Sequence, residues 1–230
     1  MTASLLTLAL EGSTYEGSVA LFRGIEVIAE RSLHDDDTAA PLVGRGERLL
    51  PAVAECIETA GIEAREVTRI VCGAGPGRFT SLRIAGSAAK GLATGLGAEL
   101  YAVSSLLLTV SAARAPLEPG EYLSVLDAMR GEWFASRVGV AADGSIEEKE
   151  TARLITSADL QDLSRGDTEL RIIGPGRSID AQPHARGVGP LLSRIIAGGP
   201  VDLASWEPNY GRLPEAQVRR EAEALRPVAR

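Results

Sequence analysis

Residues 73–89, Gly-Ala-Gly-Pro-Gly-Arg-Phe-Thr-Ser-Leu-Arg-Ile-Ala-Gly-Ser-Ala-Ala, hold the densest chemical signal in the chain. An apolar run at 69–72 leads into three glycines and a proline within five residues, and a helical pattern opens straight after them. Strand, glycine-rich turn and helix N-terminus together aim backbone N–H groups at an anion, or at a partner's backbone. No Lys-Ser/Thr pair follows the last glycine, so this is not a Walker loop. The same glycines also suit a tight strand-to-helix crossing with no ligand at all. Both readings stay open, with Gly75 and Gly77 as the residues that would touch an anion.

Other groups that could do chemistry are few. Glu11, Ser13 and Thr14 end the first apolar run. In a phosphate-binding fold this turn would approach a nucleotide, and its acid would position a metal-bound water. Glutamate reaches one methylene too far for that task, and the alternative is a turn closed by Ser and Thr side chains. Asp127 opens a charged turn, Asp-Ala-Met-Arg-Gly-Glu, that either closes a hairpin or faces a cleft. The only histidines, His34 and His184, sit in polar stretches with no partner at helical spacing, so no metal site is expected. Cys56 and Cys72 lie in apolar runs without CxxC spacing and read as core thiols. No spacing suggests a Ser-His-Asp triad, so no catalytic residue is assigned.

Two helices stand out for their surfaces. One is expected over 41–60, with Pro51 inside it as a kink or restart and Gly61 just past its end. The other is expected over 81–95, capped by Thr80, with Phe79 and Ile84 as a hydrophobic staple. It carries Gly86, Ala89, Gly91, Ala93 and Gly95, and each helical glycine costs about 1 kcal/mol against alanine. Close approach of another element would offset that cost: either the chain's own sheet or another subunit.

The elements that must position these groups follow from the pattern. Strands are expected at 5–11, 17–23 and 26–33, joined as a meander through Gly24, then at 69–72 and 99–103, with Ser104 capping a short helix to 113. Pro116, Pro119 and Gly120 mark a boundary. Beyond it come strands at 122–127 and 133–140, a helix at 158–163, a strand at 170–173, a helix at 191–196 and a closing helix at 213–225. The second half thus partly echoes the first, which points to two related α/β lobes: 1–114, 115–210 and a closing helix within 211–230 that packs back on the first lobe. With 230 residues and 45% hydrophobic content the chain can build ample core. Its net charge of −7 argues against a free-standing nucleic-acid binder. With no signal peptide in view and no run long enough to span a bilayer, a cytoplasmic protein is expected.

The segment GPGRFTSLRIAGSAAKGLATGLGAELYAVSSL closely resembles the glycine-rich signature of the TsaB family, the bacterial accessory subunits of tRNA threonylcarbamoyladenosine synthesis. Further blocks agree in family order: Leu6-Thr-Leu-Ala-Leu-Glu-Gly-Ser-Thr14, Gly17-Ser-Val-Ala-Leu21, Glu47-Arg-Leu-Leu-Pro51, Asp127-Ala-Met-Arg-Gly-Glu132 and Pro208-Asn-Tyr-Gly-Arg-Leu-Pro-Glu-Ala216. The long block is specific; each of the others is weak alone. The resemblance implies a two-lobed actin-like ATPase fold of the Hsp70 and sugar-kinase superfamily, with ribonuclease H-like lobes. It implies a non-catalytic scaffold that binds and activates the transferase TsaD, which modifies the adenosine 3′ of the anticodon. It also implies a TsaE-like ATPase in the assembly, a homodimer when the partner is absent, only indirect contact with tRNA, and no cofactor. Carried onto this chain, the partner interface falls on the helices at 41–60 and 81–95, with Glu47, Leu50, Ala54, Arg83, Gly86, Ala89, Lys90 and Ala93. Glu11, Ser13, Thr14, Gly75, Gly77 and Asp127 would line a vestigial nucleotide cleft.

The chain departs from the family pattern at several places. Arg45 and Leu49 stand where the catalytic paralogue has its metal-binding His pair. Glu11 and Gly12 replace Asp and Thr, Arg78 and Ser81 replace Ser and Gly, and Gly211 replaces Leu. Two other functions compete. An ATP-dependent sugar or small-acid kinase of the same superfamily would need an acid on the first strand and a catalytic Asp in the second lobe; Asp127 could supply the second, but Glu11 suits the first poorly. A metallopeptidase would need the paired histidines this sequence lacks.

Overall fold

The computed structural model describes residues 5–33, 48–166 and 170–211. In chain order the first half gives β1 (Leu6–Glu11), β2 (Ser18–Arg23), β3 (Glu26–Ser32), α1 (Leu49–Ala60), β4 (Val67–Gly73), α2 (Phe79–Leu96), β5 (Glu99–Val103) and α3 (Ser105–Ser111). The second half gives β6 (Gly120–Asp127), β7 (Glu132–Val140), β8 (Ile146–Glu148), β9 (Arg153–Thr156), α4 (Ser157–Gly166), β10 (Arg171–Gly174), β11 (Ile179–Asp180) and α5 (Val188–Ala197).

Both halves fold the same way. The first sheet runs β3-β2-β1-β4-β5, with β1, β2 and β3 antiparallel and β1, β4 and β5 parallel. The second runs β8-β7-β6-β10-β11 with the same polarity, and β9 pairs beside β8 on β7. The expected echo of one lobe in the other is therefore a match of whole sheet order. This is the two-lobed α/β architecture that the sequence predicts. Three strands escape the sequence pattern, β8, β9 and β11, because two to four residues are too few to set a period.

Alternation along the strands divides the core. On β1 and β2, Leu8, Leu10, Val19 and Leu21 face α1 and α2, while Ala9, Ala20 and Phe22 face the other way. There they join α3, α5 and the Tyr122, Val138 and Ile173 side chains of the second sheet in one shared cluster. Leu123, Val125, Ala135 and Ile155 on the far face pack under Leu160 of α4. The result is five layers: α1 and α2, first sheet, α3 and α5, second sheet, α4.

Past Gly198 the chain returns to the first sheet, where Val201 N–H donates to the Leu100 carbonyl at 2.8 Å and Trp206 packs on the first cluster. The closing helix expected at 213–225 and the polar loop around His34 lie outside the described residues, as do residues 41–47 of the first interface helix. Within the described part, Pro51 sits in the first turn of α1, where its missing N–H costs nothing, and it does not kink that helix.

α2 begins two residues earlier than its pattern suggests. Arg78 is the N-cap, without a side-chain capping bond, so Thr80 does not cap and Phe79 and Ile84 form no staple. Both are exposed instead. The helix buries Leu82, Ala85, Gly86, Ala89 and Ala93, one face at spacings of three and four. That face lies on the chain's own sheet: a Cβ added at Gly12 would stand 2.6 Å from the Ala85 Cβ. The expectation that Ala89 and Ala93 line a subunit seam is overturned, because both are buried in the first cluster. Ala89→Glu should therefore cost about 3 kcal/mol or more by burying an unpaired charge, read as lost soluble yield or a collapsed thermal midpoint, while Ser87→Glu on the exposed face leaves the midpoint within a few degrees.

Candidate functional site

The turn after β1 and the glycine-rich loop before α2 meet, as the sequence suggests, but they seal against each other. Ser13 carbonyl accepts the Arg78 N–H at 2.8 Å, and a Cβ at Gly77 would lie 2.3 Å from that same oxygen. On the other side of the loop, Asn209 N–H donates to the Ala74 carbonyl at 2.7 Å, and a Cβ at Gly75 would stand 2.3 Å from the Asn209 carbonyl. The two glycines thus serve close backbone approach by the chain itself. Thr14 Oγ1 accepts the Glu16 N–H within the turn.

Glu11 is fully buried and faces no cleft. One carboxyl oxygen accepts the Ser13 N–H at 2.5 Å and the other the Ser105 hydroxyl at 3.0 Å. The Gly75 N–H in turn donates to Ser105 Oγ at 3.1 Å. A Cβ at Gly73 would overlap the Glu11 carboxylate, so the longer acid fits only beside a glycine. Burial pushes its carboxyl above the usual range, against the opposing pull of the Ser13 and Ser105 bonds. Asp127 is exposed, and its carboxylate accepts the Met129 N–H at 2.8 Å inside its own hairpin turn. The six residues expected to line a vestigial cleft therefore act in structural roles here: Glu11, Ser13, Gly75 and Gly77 knit the β1 turn to the glycine loop and α3, Thr14 closes its own turn, and Asp127 closes β6 to β7.

His184 lies in a loop, as expected, and is buried there: Nδ1 accepts the Arg186 N–H at 3.0 Å and Nε2 lies 3.2 Å from Ser32 Oγ. Cys56 and Cys72 are buried thiols, Cys56 pushed up to about 11 and Cys72 higher still by desolvation. Among the described residues no three His, Cys, Asp or Glu side chains come together to hold a metal ion, and no helix is long and apolar enough to cross a membrane.

The open feature lies on the outer face of α1 and α2. A groove of about 730 Å³ is lined by Leu49, Leu50, Ile84 and Leu92, with Phe79, Thr80 and Arg83 at one end and Ser87, Ala88 and Gly91 along its wall. Leu50, Phe79 and Ile84 are 53%, 52% and 37% exposed. Of the interface residues expected from the sequence, Leu50 and Arg83 line the groove and Ala54 lies exposed on α1. Gly86 is covered by Pro208, Lys90 donates to the Trp206 carbonyl at 2.9 Å, and Ala89 and Ala93 point inward; Glu47 lies outside the described residues. Sequence reasoning missed Phe79, Ile84 and Ser87 as groove residues, while Gly91 is among the small residues it weighed for a subunit seam. The available signal was phase: the alanine stripe spans one face, so the larger apolar residues of the helix must fall on the other.

Glu11 gives a pH test. Its folded-state pKa lies above the ordinary 4.5, so its ionisation opposes folding as pH rises past that value. Glu11→Gln should remove this slope: its stability advantage over the parent grows with pH above 4.5, by at most about 1.4 kcal/mol per unit, in denaturant titrations run across pH 4–8.

Residues 45–155 match the family model described as TsaD: tRNA N6-adenosine threonylcarbamoyltransferase. A "tRNA threonylcarbamoyladenosine biosynthesis protein TsaB" from Haemophilus influenzae is 30% identical over 140 residues, 59% of this chain and 54% of that one, so the chain spans about half the length of that relative. The protein of the same description from Bacillus subtilis is 28% identical over 229 residues, 92% of this chain and 96% of its own. The solved structure of YeaZ from Pseudomonas aeruginosa superposes with a TM-score of 0.71 at 24% identity, covering 89% of this chain and 99% of that one, which shows a shared fold. With the motif blocks running in order from Leu6 to Ala216, the chain is similar to TsaB proteins from one end of this stretch to the other.

Proposed function

We infer that this protein is an accessory subunit of tRNA threonylcarbamoyladenosine synthesis that holds a TsaD-like transferase in the α1–α2 groove and makes no bond itself. The groove carries the reading. It gathers exposed aliphatic and aromatic side chains of two adjacent helices, Leu50, Phe79 and Ile84, into one concave surface. Gly91 and Gly95 add a second support. Each costs α2 about 1 kcal/mol, and a Cβ at either would meet nothing within 4 Å of this chain. Their smallness is unexplained by the monomer, and at Gly91, which lines the groove, it suits a partner helix laid close.

A scaffold role also fits the sealed end of β1. Glu11 is sequestered by Ser13, Ser105 and Gly73, and the glycine loop is filled by Ser13 and Asn209. A kinase of this superfamily would need both places open to a nucleotide and its metal. The partner would form its catalytic centre in its own chain, with this subunit stabilising the docked helices.

The experiment is a binding titration between this chain and the TsaD-like protein of the same cell. Ile84→Glu should weaken association at least about thirtyfold, the effect of removing one interface anchor worth about 2 kcal/mol, with the thermal midpoint kept because Ile84 is exposed. Unchanged affinity in Ile84→Glu and Leu50→Glu would place the interface elsewhere.

A further inference from the structure

We propose that the groove ends in an anchoring point for a carboxylate of the partner protein, received by Arg78. The inference rests on the docking role given above to the groove and adds the chemistry of the segment that fills it.

Arg78 is positioned without being neutralised. Its guanidinium carbon lies 3.6 Å from the centre of the Tyr15 ring. Arg83 lies over Phe79 at 5.3 Å, and Phe79 meets Tyr210 with ring centres 4.7 Å apart. Neither arginine takes part in an ion pair among the described residues. A guanidinium stacked by its face keeps its in-plane N–H groups for a carboxylate, and the ring holds it in place, so little freedom is lost on contact. Exposed rings beside arginine are also the composition of interface anchors.

The backbone adds to the same field. Arg78 is the N-cap of an 18-residue helix and makes no side-chain capping bond, so the first-turn N–H groups bring partial positive charge to the end of the helix from which Arg78 projects. Phe79, the next residue, lines the groove. Aliphatic floor and cationic end together describe the occupant: a protein segment with apolar side chains along its length and an Asp or Glu at the end that meets the α2 N-terminus. A nucleic-acid strand fits less well. Two arginines offer few phosphate contacts, the chain carries −7, and the floor is aliphatic: Leu49, Leu50, Ile84 and Leu92. Arg78 also stands where the family pattern carries Ser, so this anchor belongs to the present chain.

The test measures affinity for the TsaD-like partner at low and high salt in the parent, Arg78→Glu, Arg78→Ser and Ile84→Glu. Sedimentation of the chain alone and binding to a single-stranded RNA oligonucleotide run alongside. Expected are a loss of about tenfold or more in Arg78→Glu, a smaller loss in Arg78→Ser, a flatter salt dependence in both, and unchanged thermal midpoints. Arg78→Glu within twofold of the parent, with Ile84→Glu non-binding, overturns the anchor and leaves the groove. Full affinity in both Arg78→Glu and Ile84→Glu overturns the groove reading and the anchor with it. An Arg78→Glu effect confined to self-association, or confined to RNA, overturns the anchor in favour of a second copy or a nucleic acid.

Discussion

The distance between α2 and the first sheet governs the rest of the molecule. Gly12 and Ala85 touch so closely that neither position tolerates a larger side chain without moving the helix. Ala89 and Ala93 continue the contact down the helix. An inner face built of alanines leaves the bulk of α2 to its outer face, where Phe79, Ile84 and Leu92 join Leu49 and Leu50 of α1. The apolar groove is thus the outward consequence of a thin inward seam.

The same closeness shapes the loop that leads into α2. Setting the helix down on the sheet draws the glycine loop against Ser13, and the returning strap of residues 206–209 closes over it from the other side. Glu11 is trapped beneath, bonded to Ser13 and Ser105 and accommodated by Gly73. At this turn the polar groups are spent on packing and internal hydrogen bonds. The groove, by contrast, stays open to solvent with a largely apolar floor.

Much of this was legible in the sequence. The meander of β1 to β3, the parallel pair β4 and β5 and the hairpin β6–β7 follow from alternation bounded by Gly24, Gly73 and Gly131. The helices that matter were found as well. Their facing was not: a stripe of Gly and Ala reads equally as a seam to one's own sheet or to another subunit, and only the third dimension decides between them. Phe79 looked like the residue before a helix because Thr80 is a good capping residue, yet the chain enters α2 at Phe79 with no side-chain cap. The sequence places His184 in a polar loop; that it is buried and meets Ser32, 152 residues away, is beyond any local pattern. Glu11 looked merely ill-placed for catalysis, since nothing local announces that Ser105 comes to meet it.

Hydrogen–deuterium exchange of this chain with and without its TsaD-like partner tests the docking claim most directly. The account predicts added protection concentrated in α1 and α2, over 49–60 and 79–96, with the second sheet unchanged. Protection confined to the second lobe, or none on the two helices in a complex known to have formed, would contradict it.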